Sequence, residues 1–145
     1  MNTFPIIRVV SKFMVPYILL FGLYVQFHGD YGPGGGFQAG VIFASAIILY
    51  GLVYGLSAAQ EVAPPWMIEK LIATGLVIYA GTGFLCMALG GKFLDYNVLE
   101  HDFMPDILLH GQHLGIFMIE LGVGITVTAV MVMIFYAFAG RERVV

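Results

Sequence analysis

The chain has 145 residues, 60% of them hydrophobic and 10% charged, with a formal net charge of −3. So low a charged fraction, against roughly 25% in an ordinary soluble domain, in apolar runs that are polar on no face, excludes a water-soluble helical globule and calls for lipid around the helices. The few scattered basic residues form no face for nucleic acid, and a lone cysteine, Cys86, within an apolar run excludes an internal disulfide or a cysteine-built metal site.

A bilayer core of about 30 Å needs about 20 apolar residues at 1.5 Å per residue. Four stretches meet this, so the sequence predicts an all-α integral membrane protein, one membrane domain over residues 1–145. The first span, about 9–27, is the weakest: Pro16 sits near its start and Lys12 must snorkel to the interface. It follows a basic start, as in a signal peptide, but ends at Gln26, Phe27 and His28 with no small-residue cleavage site, and is expected to be retained.

A glycine-rich loop, His28 to Gly36, leads into the second span, about 37–59. The next connection carries Pro64, Pro65 and Trp66, prolines that stop one helix and an aromatic suited to the headgroup level. A third span covers about 71–91. An acidic segment with Asp95, Glu100, Asp102 and Asp106 follows, in which Pro105 and Asp106 suit the first turn of a short helix, and the fourth span covers about 114–139.

Four spans place both termini on one side. Arg8, Lys12, Lys70, Arg141 and Arg143 fall on that side and Lys92 on the other, a bias that predicts cytoplasmic termini.

Two features stand out chemically. In the loop, Pro33-Gly34-Gly35-Gly36-Phe37 places three glycines at the positive end of the second helix, where backbone can take angles closed to other residues and favour an anion or a carbonyl oxygen. Either it is a tight surface turn beside closely packed helices, or an irregular element dipping into the membrane, tolerated where protein or water covers it. The second feature is Glu120, the one charged side chain inside a confident span, about 9 Å into the hydrocarbon counting from Leu114. An isolated carboxylate is expensive there, so Glu120 is a functional candidate or a hydrogen-bonded packing group.

His113 lies two turns before Glu120 and His110 one turn earlier, a polar stripe able to pass protons or simply a pair of interfacial hydrogen-bonders. His28 and Asp30 stand at the same outer mouth, as cation attractants or as solvated loop residues. Gly36 with Gly40, Gly51 with Gly55, and Gly111 with Gly115 have the small-residue spacing of closely packed membrane helices. No nucleophile–base pair, metal-ligand set or cofactor motif is visible, so neither an enzyme nor a bound cofactor or metal is expected.

The run from Leu20 to Ala44, with Pro33 to Phe37 at its centre, resembles the B subunit of multi-subunit cation/proton antiporters, the MnhB or MrpB family, and the likeness extends over essentially the whole chain. The resemblance implies a non-catalytic subunit of a Na+/H+ antiporter in the plasma membrane, the inner membrane in a Gram-negative cell. Its partners would be large subunits related to those of respiratory complex I and several small membrane subunits. Four short-looped helices lack the broken-helix repeats of a self-sufficient transporter, consistent with a subunit role. Two alternatives remain at this stage: a B-type module of a membrane-bound hydrogenase or related energy-converting complex, and a purely structural scaffold subunit.

Overall fold

The computed structural model describes residues 5–29, 32–96, 98 and 111–141, and among these the chain is all-helical, without strands. Helix α1 spans Pro5–His28, α2 Gly36–Tyr54, α3 Leu56–Val62, α4 Pro65–Ala88 and α5 Gly111–Ala139. Of the described helices, α1, α2, α4 and α5 are long and apolar enough to cross a membrane. Their exposed side chains include Phe13, Leu20, Leu52, Leu76, Val77 and Phe138, apolar groups that lipid accommodates and water would not.

The helix ends differ from the expected spans for local reasons. The first helix is already formed at Pro5, four residues before the expected span, and Pro16 falls inside it. The second span is two helices rather than one: α2 stops at Tyr54, and Gly55, at φ 100°, redirects the chain into α3. That backbone angle suits glycine and strains other residues. Pro64 and Pro65 stop α3 and start α4, six residues earlier than expected from hydropathy. Lys70 on this first part of α4 lies with Nζ 4.9 Å from the centroid of the exposed Trp66 ring, a cation–π contact.

The four long helices described stand in a row, α1–α2–α5–α4, with α5 inserted between α2 and α4. Helix α1 runs antiparallel to α2. At one end the Tyr54 hydroxyl donates to the Arg8 carbonyl at 2.6 Å, and midway Gly22 faces Phe43. Helix α5 runs parallel to α2, with Thr128 Oγ1 3.2 Å from the Gly40 carbonyl, and antiparallel to α4.

Glycines on α5 make this insertion possible. Gly122 and Gly124 are two residues apart, about 200° around the helix, and so serve opposite neighbours. A Cβ on Gly40 would stand 2.8 Å from the Gly124 carbonyl oxygen, and one on Gly75 would stand 2.6 Å from that of Gly122. Neither crossing has room for a side chain, the close approach that drives helix association in lipid.

At the other end of α5 a small core of Ala44, Ala59, Ala63, Ile68, Ala129 and Val132 surrounds Tyr136. The Tyr136 hydroxyl, nearly buried, lies 3.0 Å from the Ala59 carbonyl and 2.9 Å from that of Ala63, carbonyls at the end of α3. The Ala59 carbonyl also accepts the Ala63 N–H at 2.8 Å, so it is the Ala63 carbonyl, just past the end of α3, that the hydroxyl serves as a helix terminus requires. Arg8 against Tyr54 and Gly140 against Leu56 bring the start of α1 and the end of α5 to this same end of the row. The glycine turn and the start of α5 lie at the opposite end.

Candidate functional site: a carboxyl on the glycine turn

The parallel run of α2 and α5 sets Glu120 beside the glycine turn. A Cβ built on Gly29 would lie 2.7 Å from Oε2 of Glu120, and one on Gly35 would lie 2.9 Å from Oε1. A Cβ on Gly36 would collide with the Glu120 backbone carbonyl. The two features singled out separately in the sequence are therefore one site: the turn is glycine where the carboxyl and backbone of Glu120 fill the space that side chains would occupy.

Gly35 is the N-cap residue of α2, at φ 117° and ψ −179°, an extended region at positive φ that is essentially glycine's alone. Having no side chain, it supplies no capping oxygen to the open N–H groups of the first turn. The Glu120 carboxyl, delivered from α5, lies against this cap, at the positive end of the α2 dipole. An anion is favoured in that position, which offsets part of the penalty of placing a carboxylate in the membrane.

His28 closes α1. Its ring stacks on Tyr24 with centroids 5.3 Å apart, its carbonyl accepts from the Gly32 N–H at 3.1 Å, and its Nε2 would lie 3.0 Å from a Cβ on Gly32. It thus belongs to the turn that carries Gly29 and Gly35. His113 lies half-buried on α5, two turns before Glu120 and on nearly the same face. Phe27 of α1 stacks on Phe117 of α5, centroids 5.7 Å apart, one turn from Glu120. His110 and Asp30, the other two expected members, lie outside the described residues, as do Glu100, Asp102 and Asp106. Within the motif, Gly35 and Gly36 are buried, Gly34 is half-buried, and Pro33 and Phe37 face outward. Among the described residues no three histidine, cysteine, aspartate or glutamate side chains gather as a metal ion requires.

One polar residue of the region was not singled out from the sequence. Gln26 is 4% exposed, and its Oε1 would lie 2.6 Å from a Cβ on Gly124, one turn along α5 from Glu120. The signal was present, an amide within an apolar helix, but at the end of a span it reads as an interfacial residue.

Four apolar helices in a row, with a carboxyl set against a glycine turn inside one end, define a small multi-pass helical membrane protein. Comparison with known families matches residues 6–133 to the domain described as related to the MnhB subunit of Na+/H+ antiporter. The chain belongs to this MnhB-related family. Its relatives include a protein of Staphylococcus haemolyticus named for antiporter subunit mnhB2, 37% identical over 138 residues that make up 94% of this chain and 95% of that protein. Proteins of the same name from Staphylococcus epidermidis and Staphylococcus aureus are each 33% identical, over 93% of this chain and 94% of their own length.

Proposed function

We propose that this chain is a non-catalytic membrane subunit of a multi-subunit Na+/H+ antiporter, and that Glu120, seated on the glycine turn, forms part of the ion route or of the element that couples the two ions. The observation that carries the second statement is the contact of the Glu120 carboxyl with Gly29 and Gly35 at the start of α2. The positive end of the α2 dipole favours an anion where the carboxyl lies. A carboxyl that exchanges a proton or a cation needs a neighbourhood able to hold its charged form within the membrane. Backbone that leaves regular helix at membrane depth, next to an ionisable side chain, is the arrangement membrane transporters use for ion sites.

His113, two turns away on α5, with His110 beyond it by sequence, is the accompanying candidate for passing protons toward Glu120, and His28 and Asp30 are the candidates for attracting cations at the same mouth. The partners are large complex-I-like antiporter subunits and small membrane subunits. The distribution of Lys and Arg supports a plasma-membrane orientation with cytoplasmic termini, which puts the glycine turn on the outer side.

The test is Glu120→Gln in the complete complex, expressed in a host that lacks other sodium–proton exchange and scored for growth on sodium. The reading predicts loss of sodium tolerance with the complex still assembled. Full tolerance at unchanged complex abundance would overturn it.

A further inference from the structure

Gln26 is 4% exposed, and its Nε2 donates to no atom among the described residues. That nitrogen is covered by the chain's own atoms, so an acceptor for it has to come from inside the chain. Of the side chains gathered with it between α1, α2 and α5, Leu23, Phe43, Ile47 and Leu121 carry no acceptor, and the Thr128 hydroxyl lies 2.7 Å from the Gly124 carbonyl and 3.2 Å from that of Gly40. A buried donor without a partner is a penalty that a native structure carries for a reason. The charged acceptor of this region is Glu120. On α1, Gln26 precedes by three residues the Gly29 against which the carboxyl lies; on α5, the Gly124 against which Gln26 Oε1 lies follows Glu120 by one turn. Amide and carboxyl therefore face the same junction of α1, α2 and α5, roughly 5 Å apart along the helices, with the amide deeper in the membrane.

We propose that Gln26 is a positioning residue of the Glu120 site: when the carboxyl gives up its proton or cation it swings from the glycine turn toward Gln26 and accepts a hydrogen bond from Nε2. A change of staggered rotamer at Glu120 covers the distance. The donor stands open while the carboxyl rests on Gly29 and Gly35, and is used in the other position. A hydrogen bond to an ionised acceptor is among the strong ones, and it holds the empty carboxylate where no water can. The amide thereby competes with the transported cation for the carboxylate, so that the cation leaves the site instead of lingering on it. This inference rests on Glu120 being part of the ion route.

The experiment is Gln26→Met, which keeps the length of the side chain and removes the amide, in the complete complex in everted vesicles. Proton movement is measured against sodium concentration and normalised to the amount of assembled complex. With the competitor gone the cation is held more tightly and released more slowly, so the maximal rate and the half-saturating sodium concentration should both fall, each by about tenfold, the worth of one hydrogen bond to a charged group. Because Nε2 has no partner to lose in the arrangement described, the purified chain in micelles should unfold at the same temperature or higher. An unchanged rate, a lower rate with half-saturation unchanged or raised, a destabilised chain, or a complex that no longer assembles would each overturn the proposal, the last two by making Gln26 a packing group. Glu120→Gln measured alongside separates the two readings. Transport indifferent to Glu120→Gln removes the role of Glu120 and this inference with it, whereas transport lost in Glu120→Gln but indifferent to Gln26→Met removes this inference alone.

Discussion

Replacing Gly35 with alanine separates backbone strain from the contact with Glu120, because Gly55 offers a control with only the first. Both glycines sit at positive φ, 117° and 100°. At Gly55 an added Cβ meets nothing within 4 Å, whereas at Gly35 it meets Oε1 of Glu120 at 2.9 Å, a separation real Cβ atoms do not adopt. Strain alone costs about 1–3 kcal/mol for a non-glycine residue in such a region, enough to shift the folded-to-unfolded ratio by roughly 5–30-fold or more. Gly35→Ala carries the same strain and in addition displaces the Glu120 carboxyl, so the two positions differ in what they do to the site. The assay is a pair of measurements on each variant: equilibrium unfolding of the purified chain in mixed micelles, and sodium-driven proton movement by the assembled complex. Gly55→Ala should lower stability and leave transport per assembled complex intact; Gly35→Ala should lower both. In a Glu120→Ala background the second cost at Gly35 disappears, giving a coupling on the order of 0.5–3 kcal/mol between the two residues. Additive effects, or a Gly35→Ala complex as active as the Gly55→Ala complex, would refute the contact as a functional one.

Further predictions follow from the packing. Gly75→Ala drives a Cβ toward the Gly122 carbonyl and the Thr126 backbone N–H, at 2.6 and 2.9 Å, and should destabilise the α4–α5 pair by about 1–3 kcal/mol in micelle unfolding. Tyr136→Phe removes the hydroxyl from the Ala63 carbonyl, while the Ala59 carbonyl keeps the Ala63 N–H, and should cost about 1–3 kcal/mol, seen as a lower unfolding temperature with unchanged helix content by circular dichroism. Gly34→Ala is the mild member of the motif: its nearest neighbour would be the Val25 carbonyl at 3.0 Å, clear of Glu120, so transport should survive it far better than Gly35→Ala.

The spans were legible in the sequence because lipid imposes a length and a composition that little else imitates, and the departures sit where local chemistry overrides hydropathy. Gly55 breaks a continuous apolar run through its backbone angle, which no hydropathy window registers. Pro65 extends a helix outward into charged residues that a hydrophobic count discards. The glycine triplet and Glu120 were each recognisable as unusual, yet their contact was not, because it depends on α5 lying parallel to α2 rather than beside α4 alone. That order is written in the offset of Gly122 and Gly124 on opposite faces of one helix, a pattern legible only when the neighbours are known. Gln26 escaped notice for a related reason: it is buried and lies against Gly124 of α5, some hundred residues further along the chain, while its own surroundings in sequence suggest the membrane surface.

The most direct test of the Glu120 assignment is proton movement in everted membrane vesicles, with the complex carrying Glu120→Gln compared with the unmodified complex at equal abundance, across a range of pH and sodium concentration. Glutamine keeps the shape and removes the ionisable proton. The account predicts that the rate falls by roughly tenfold or more, a change of about 1.4 kcal/mol in the barrier, or that its pH profile shifts. An unchanged rate with an unchanged pH profile would contradict it and leave Glu120 as a packing group on the glycine turn.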